Sequence, residues 1–537
     1  MTRMSSKNKN NENKIFIRES SGLVKQFSSL DMLTLVLSFS IGSGILFFTV
    51  GITYEYPGSF PLLSLIIDAI PLFASASVIY FLGLVMPKIG GQYVWISRIL
   101  SPSLGYFINI FTWLGYCIII GDVAYIGASF LSDSLTIAGL VTHSPSITDV
   151  GKYFTSPIHI VIIAIIITIL FTLLDSFSIK LSKFSIFVAF YIPLALLLIL
   201  DFTMLLESPS TAPSLWNNVF GPSSYQNIIS LSTQKGWSSS LISFSLASTL
   251  LAVIPLNSSW SGFSHFSGWL TGDAKSPRKS LFFATIGAGI VAFFLMALTI
   301  YSYQHLFGAE FISRLGYVSS SVGITPSIPL LGAVALSTFP VLAIAVGFIM
   351  FLFPIKDILP SVIAQSRQIF AASFDRLLPE KLTYVSKNGI PIISYAITAT
   401  VIVISILMVS PLFPLGLYVA TDLFSIALGF LQIFTAITAI QFPISKHELY
   451  TSAPSPVNKE IFGIPLISIL GAISLIGWIF ILADSFYGVM SSKVGFEVML
   501  IISIIVGAIF LLYSYFNSKL SKEGINVELV GKEIPPD

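Results

Sequence analysis

The chain has 537 residues, of which 55% are hydrophobic and only 10% charged, with a formal net charge of +2. Soluble domains carry about 25% charged residues, so this composition excludes a soluble globular protein, and the small net charge gives no reason to invoke nucleic acid. The single cysteine, Cys117, excludes an intramolecular disulfide and reads as a helix-packing residue.

Residues 1–29 are polar and basic, with no apolar run ahead of the first long hydrophobic stretch, and read as a disordered cytoplasmic tail rather than a cleavable signal. The first stretch runs from Asp31 to Ile52 and would extend roughly 33 Å as a helix, enough to cross a bilayer. In its middle stands Ser38-Phe39-Ser40-Ile41-Gly42-Ser43-Gly44-Ile45-Leu46. Two glycines around a serine at mid-span predict an interruption of the helix. An interruption frees backbone N–H and C=O groups at membrane depth, which is tolerated only inside protein or beside a polar cavity. A ligand site at the bilayer midplane follows.

Twelve stretches are long enough to span: 31–52, 60–86, 104–131, 157–174, 181–206, 239–271, 281–303, 328–365, 391–410, 412–442, 462–485 and 495–517. The eighth is too long for one perpendicular span and is expected to tilt or run on into the cytoplasm. With the N-terminus inside, 22 of the 27 basic residues fall on cytoplasmic loops and tails, four fall outside, and Lys356 lies within a span. The positive-inside rule therefore puts both termini in the cytoplasm of a multi-pass cell-membrane protein. Loops 132–156, 207–238 and 304–327 face outward and are rich in Ser, Thr, Pro and Asn.

The sixth stretch carries its own interruption at Asn257-Ser258-Ser259-Trp260-Ser261-Gly262, just after Pro255. Segments 1 and 6 run in opposite directions and are five spans apart, so segments 1–5 and 6–10 can be copies of inverted topology. Interrupted segments at matching positions of two halves are the best sequence pointer to a secondary transporter's binding site. Each break makes a half-helix N-terminus of roughly +0.5 charge and a half-helix C-terminus of roughly −0.5. Amides near Ser43, Gly44 and Ile45 suit a carboxylate. Carbonyls near Phe39 and Ser40, and from Leu256 to Ser258, suit an ammonium. A zwitterion bearing both groups on one carbon, an α-amino acid, fits this pair without any charged side chain.

Four stretches now resemble the amino acid–polyamine–organocation (APC) superfamily. They are Ile41-Gly42-Ser43-Gly44-Ile45; Pro87-Lys88-Ile89-Gly90-Gly91-Gln92-Tyr93-Val94-Trp95 with Arg98, Pro102 and Gly105; Asp273-Ala274-Lys275-Ser276-Pro277-Arg278; and Ser366-Arg367-Gln368-Ile369-Phe370 with Asp375-Arg376-Leu377-Leu378-Pro379 and Gly389-Ile390-Pro391. The resemblance covers roughly residues 20–395. It implies an all-α integral membrane protein of about 12 helices: a LeuT-like 5+5 inverted repeat with discontinuous helices 1 and 6, plus two extra helices. On this reading residues 30–206 form the first repeat, 207–238 an extracellular loop, 239–442 the second repeat, 443–517 helices 11 and 12, and 518–537 a cytoplasmic tail. Alternating access would take place around the midplane site. The sequence departs from the family pattern in three places. Gly262-Phe263 falls one residue early when counted back from Pro277, which leaves the register of the second break open by one. Ser264 and His265 stand where many relatives carry a carboxylate, which leans toward neutral substrates. Ser276 replaces the usual Asn.

The candidate substrate-binding residues are thus Phe39, Ser40, Gly42, Ser43, Gly44, Ile45, Asn257, Ser258, Trp260, Gly262 and Phe263, with Trp260 and Phe263 as an aromatic wall. Lys356 and Asp357 are the oddest charges. A lysine at the centre of a membrane helix costs about 2.5–3.5 kcal/mol on insertion scales, so it should face protein or water. Segment 8 resembles the element that, with helix 1, forms the sodium site of sodium-coupled relatives, and an ammonium there could replace sodium or carry a proton. The preferred reading is plainer: segment 8 tilts, and Lys356 snorkels to the cytoplasmic interface. Asp122 is a second coupling candidate and the vestibule carboxylate that a cationic substrate would require. Asp68 and Asp422 are expected to pair with neighbouring helices or sit near helix ends. The five histidines show no metal-ligand spacing, no P-loop is present, and no catalytic constellation points to an enzyme or cofactor. The function read from the sequence is secondary-active transport of neutral or apolar amino acids, with proton or sodium as coupling ion. The alternatives are a cationic amino acid or polyamine carrier, and a non-transporting amino-acid sensor on the same fold.

Overall fold

The computed structural model describes residues 23, 25–525 and 527–528. Among the described residues, ten helices are long and apolar enough to cross a membrane. They are segment 2 (Pro61–Val85), 3 (Pro102–Val141), 4 (Pro157–Phe177), 5 (Ile179–Leu206), 7 (Pro277–Val322), 8 (Pro340–Phe374), 9 (Ile392–Val409), 10 (Gly416–Ser445), 11 (Leu466–Ser491) and 12 (Gly495–Lys522). An eleventh span comes from the pair Ser29–Ser40 and Gly44–Glu55, bent by 40° at the intervening break. The sixth expected segment is a chain of short pieces: helices Leu246–Leu251, Val253–Trp260 and Phe266–Trp269, with 3-10 turns at Ser261–Ser264 and Thr271–Asp273. The two stretches that form no continuous long helix are therefore the first and the sixth. The protein is an all-α membrane protein. Among the described residues its strands are the two-residue pair Glu460–Ile461 and Ile464–Pro465 between segments 10 and 11.

Several boundaries differ from the sequence reading. Residues 328–365 do not form one tilted helix. Ile328–Ala335 is a separate helix, and segment 8 starts afresh at Pro340 and runs to Phe374. Pro340 has no N–H to donate to the preceding turn and has the right φ for a first helical position. The loop 207–238 contains the helices Ala212–Phe220 and Ser224–Gln234, and segment 3 continues to Val141. The expected tail is docked at its last residues: the amides of Gln26 and Phe27 donate to Asp273 O, and Lys275 N donates to Phe27 O. Ser28 and Asp31 then form a capping box that starts the first helix. The rest of the tail, residues 1–22, and residues 529–537 lie outside the described residues.

Small and hydroxylated residues let the spans approach closely, as in other membrane bundles. Ser75 of segment 2 bonds Ser474 of segment 11 at 2.7 Å and accepts from Trp478 Nε1 at 2.9 Å. At the end of the bundle where the tail docks, two buried ion pairs tie the connectors together. Arg98 donates twice to Asp375, at 2.6 and 2.8 Å, and Tyr93 adds its hydroxyl to the same carboxylate. Arg367 of segment 8 donates to Asp273 at 3.1 and 3.3 Å. Their side chains are at most 2% exposed.

Candidate functional site

The first helix stops at Ser40 and restarts at Gly44, leaving Ile41, Gly42 and Ser43 between the halves. The restart has no side-chain cap: Ser43 occupies the N-cap position without bonding a backbone amide. The first amides of a helix have no acceptor within it, so a mid-span N-terminus without a cap leaves donors free for another group. Gly42, Ser43 and Gly44 are half-exposed, whereas Ile41 and Ile45 are buried. Ile45 therefore belongs to the packed core, and the three small residues form the open part of this break.

The second break lies later than the sequence reading placed it. Asn257, Ser258 and Ser259 are still helical; the helix ends at Trp260, and the irregular turn is Ser261 to His265. Pro255 sits in the first turn of this eight-residue helix, Val253–Trp260, where its missing N–H costs no intrahelical bond.

The two breaks touch reciprocally. A Cβ on Gly44 would stand 2.8 Å from both Cα and Oγ of Ser259, and a Cβ on Gly262 would stand 2.7 Å from Ser40 Oγ and 2.8 Å from Ser40 Cα. Each glycine thus lets the backbone of one broken segment lie against the other, and no other residue type allows that approach.

Lys356 is the centre of the arrangement around the first break. It does not snorkel: it is 1% exposed, and its ammonium donates to the carbonyls of Ser38 and Ile41 and to Asp357 Oδ1, the last two at 2.7 Å. An ammonium has three N–H donors, and all three are used. The rings of Phe353 and Phe190 lie 5.0 and 5.9 Å away. Ser38 and Ile41 are at the C-terminal end of the first half-helix, where carbonyls and the helix dipole concentrate negative charge. The carbonyls expected to hold a substrate ammonium, around Phe39 and Ser40, are thus flanked by two already held by a side chain. The Asp357 carboxylate balances the lysine and reaches to 2.8 Å from where a Cβ of Gly42 would be.

The rings gathered around the turn Ser261–His265 are not the expected pair Trp260 and Phe263. Phe39 stacks on Phe266 with ring centres 4.3 Å apart, and it lies 5.9 Å from Tyr116 and 6.1 Å from His265. Tyr116 of segment 3 hydrogen-bonds His265 Nε2 and meets Trp269 edge-on at 4.8 Å. Gln432 of segment 10 donates to the carbonyl and hydroxyl oxygens of Ser264, each at 3.2 Å. Phe39, Tyr116, His265, Phe266 and Trp269 therefore surround the second break. Sequence reasoning found Phe39 and noted His265. It missed Tyr116 and Gln432, because nothing local marks which residues of segments 3 and 10 face segment 6. Phe266 and Trp269 could have been found by counting forward from a break placed at Ser261–His265.

Three candidate residues point elsewhere. Asn257 Nδ2 and Trp260 Nε1 donate to the two oxygens of Asp68 in segment 2, at 2.9 and 2.8 Å. Phe263 packs on Phe73 and Trp260, with ring centres 5.2 and 5.3 Å away. Ser258 is exposed. Asp122 is 4% exposed and its Oδ1 has no hydrogen-bond partner. Among the described residues, no group of three or more His, Cys, Asp or Glu could hold a metal ion.

The site therefore has an open set of mid-membrane amides, a fixed buried ammonium on the opposing carbonyls, and an aromatic enclosure. No curated protein matches the chain. Residues 27–516 match the family model described as amino acid permease, a match that takes in both broken segments and the connectors with the buried ion pairs. The chain belongs to the amino acid permease family, whose members move amino acids across membranes.

Proposed function

We propose that the protein is a secondary-active transporter of neutral amino acids, working by alternating access around the crossing of segments 1 and 6. The observation that carries this reading is the reciprocal contact of the breaks, Gly44 on Ser259 and Gly262 on Ser40. Two helices that cross through their interruptions expose main-chain donors and acceptors at one point, and a movement of either half-helix changes which side reaches that point. The substrate carboxylate binds the amides of Gly42, Ser43 and Gly44. Its ammonium binds carbonyls of the two breaks not used by Lys356, and its side chain lies toward Phe39, Tyr116 and Phe266. The Lys356–Asp357 pair is neutral as a unit, and the turn Ser261–His265 contains no carboxylate, which supports a neutral side chain. Segments 1–5 and 6–10 act as inverted repeats, and both termini are cytoplasmic. The ion pairs Arg98–Asp375 and Arg367–Asp273 then close the cytoplasmic end. Lys356 takes the place a bound sodium ion would have on the helix 1 carbonyls, so transport needs no sodium.

The test is a thermal-shift screen of purified protein against the amino acids and common amines, followed by counterflow in proteoliposomes. Binding stabilises the folded state by mass action. Stabilisation by neutral amino acids together with counterflow is expected. Stabilisation only by solutes that are not amines overturns the substrate class. Preferential stabilisation by arginine, lysine or polyamines favours the cationic carrier with Asp122 as its carboxylate. Binding without counterflow identifies a sensor.

A further inference from the structure

Segment 2 is fastened to the first part of segment 6 along one stripe. Phe60 N donates to Thr249 Oγ1 at 3.1 Å, and Ser64 Oγ donates to Thr249 O at 2.7 Å. Asp68 accepts from Asn257 Nδ2 at 2.9 Å and from Trp260 Nε1 at 2.8 Å. Positions 60, 64 and 68 recur every four residues and so share one helix face. The first two contacts use a hydroxyl and the backbone; the third uses a carboxyl group that is 0% exposed.

Buried carboxylates are normally paired with a cation. Asp273, Asp357 and Asp375 follow that rule, with Arg367, Lys356 and Arg98. Both partners of Asp68 are uncharged. The elements packed against segment 2 carry Glu55 on segment 1, Arg278, Lys279, Tyr303, His305, Glu310 and Arg314 on segment 7, Asp422 on segment 10 and Asp484 on segment 11. None of them bonds to Asp68: Tyr303 donates to Thr49 O and Arg314 pairs with Glu310. Arg98, on the connector after segment 2, is held by Asp375.

We propose that Asp68 is a proton-binding latch on the second break, and that the proton it takes up is the one that drives transport. As a carboxylate, Asp68 offers one oxygen to each N–H. A proton from the aqueous phase adds to one oxygen and stays there as O–H. That oxygen is now a hydroxyl and a far poorer acceptor, so the N–H bond it receives is weakened while the other oxygen keeps its own. Asn257 and Trp260 bracket the last turn before Ser261, where the helix ends, so releasing either one frees the turn that bears on Gly44. Asp68 is enclosed, so the proton enters only when the seam between segment 2 and segment 6 parts. Entry and release thereby become tied to which side is open. Three other buried carboxyls do not have this position: Asp201 accepts from the rotatable hydroxyls of Thr299 and Ser302, Asp175 accepts from the rotatable hydroxyl of Ser182, and Asp122 has an oxygen with no partner.

The proposal rests on the transport reading above, and the test separates the two. Proteoliposomes are loaded for uptake of a radiolabelled mixture of neutral L-amino acids, with and without an imposed proton gradient. Wild-type protein should accumulate label under the gradient. Asp68→Asn should lose that accumulation while counterflow persists, Asp68→Glu should restore it, and Asp201→Asn should keep it. An indicator dye in weakly buffered detergent solution gives a second readout that needs no variant: adding the amino acids to wild-type protein should change its bound protons. Gradient-driven accumulation by Asp68→Asn at the wild-type level overturns the latch, as does substrate binding by wild-type protein with no proton taken up or released. Wild-type counterflow without accumulation under the gradient removes the latch alone; absence of counterflow removes the transport reading and the latch with it.

Discussion

Gly44 rests directly on Ser259, with no room between them for a methyl group. The same is true of Gly262 on Ser40 at the other break, so the crossing is set by two absent side chains. Gly44→Val forces the two backbones apart. Overpacking of this kind costs about 1–3 kcal/mol. The expected result is a lower melting temperature and loss of stabilisation by amino acids. Ligand stabilisation equal to wild type would place the binding site away from the crossing.

Removing the ammonium of Lys356 leaves Asp357 as an uncompensated buried charge and frees the carbonyls of Ser38 and Ile41. Breaking a buried ion pair from one side costs about 3–5 kcal/mol. Lys356→Met should therefore lower the unfolding midpoint sharply. The double variant Lys356→Met with Asp357→Leu should recover much of the loss, because no lone charge remains. A double variant no more stable than the single would show that the carbonyls, not the carboxylate, dominate the cost.

Wild-type counterflow should be unchanged when sodium is replaced by choline, because the helix 1 carbonyls already carry a covalently attached cation. A strict sodium requirement, measured in the same vesicles, would show that a further cation site exists.

Arg367→Ala should leave Asp273 buried and unpaired, and Asp273→Ala should leave Arg367 so. Each is expected to destabilise the end of the bundle where the N-terminal residues dock on Asp273. Native Cys117 is fully buried. A cysteine introduced at Ser267 is therefore a clean reporter, and it should react faster with a membrane-impermeant thiol reagent in either variant than in the parent. Equal rates would mean that the pair does not help keep that end shut.

Tyr116→Phe removes the hydroxyl that bonds His265 and keeps the ring against Trp269 and Phe424. A lost hydrogen bond of this kind is worth about 1 kcal/mol. Weaker amino acid binding with a nearly unchanged melting temperature is expected. A large stability loss with unaltered affinity would instead make the pair a packing element.

Much of this architecture can be read from residues near one another in the chain. Gly42-Ser43-Gly44 within an apolar run is enough to place the first break, since helix propensity and membrane depth act locally. The second break was read too early because Asn257, Ser258 and Ser259 look like helix breakers when taken alone. In the folded chain these three residues are helical, and Asn257 is bonded to Asp68, some 190 residues earlier. Lys356 shows the same limitation. Its sequence neighbours allow snorkelling, and only the distant carbonyls of Ser38 and Ile41 reveal that it is enclosed. Tyr116 and Gln432 had no local signal, because their role depends on which faces of segments 3 and 10 meet the turn at Ser261–His265.

A cation that is part of the chain cannot be diluted, exchanged or exhausted. Lys356 keeps the first half-helix in place at any salt concentration, with an occupancy that does not vary with the medium. A charge that stays on its site carries no gradient energy across the membrane. While it holds its proton, it can act only as a permanent brace, so any uphill movement of substrate must draw its driving force from a particle that does leave.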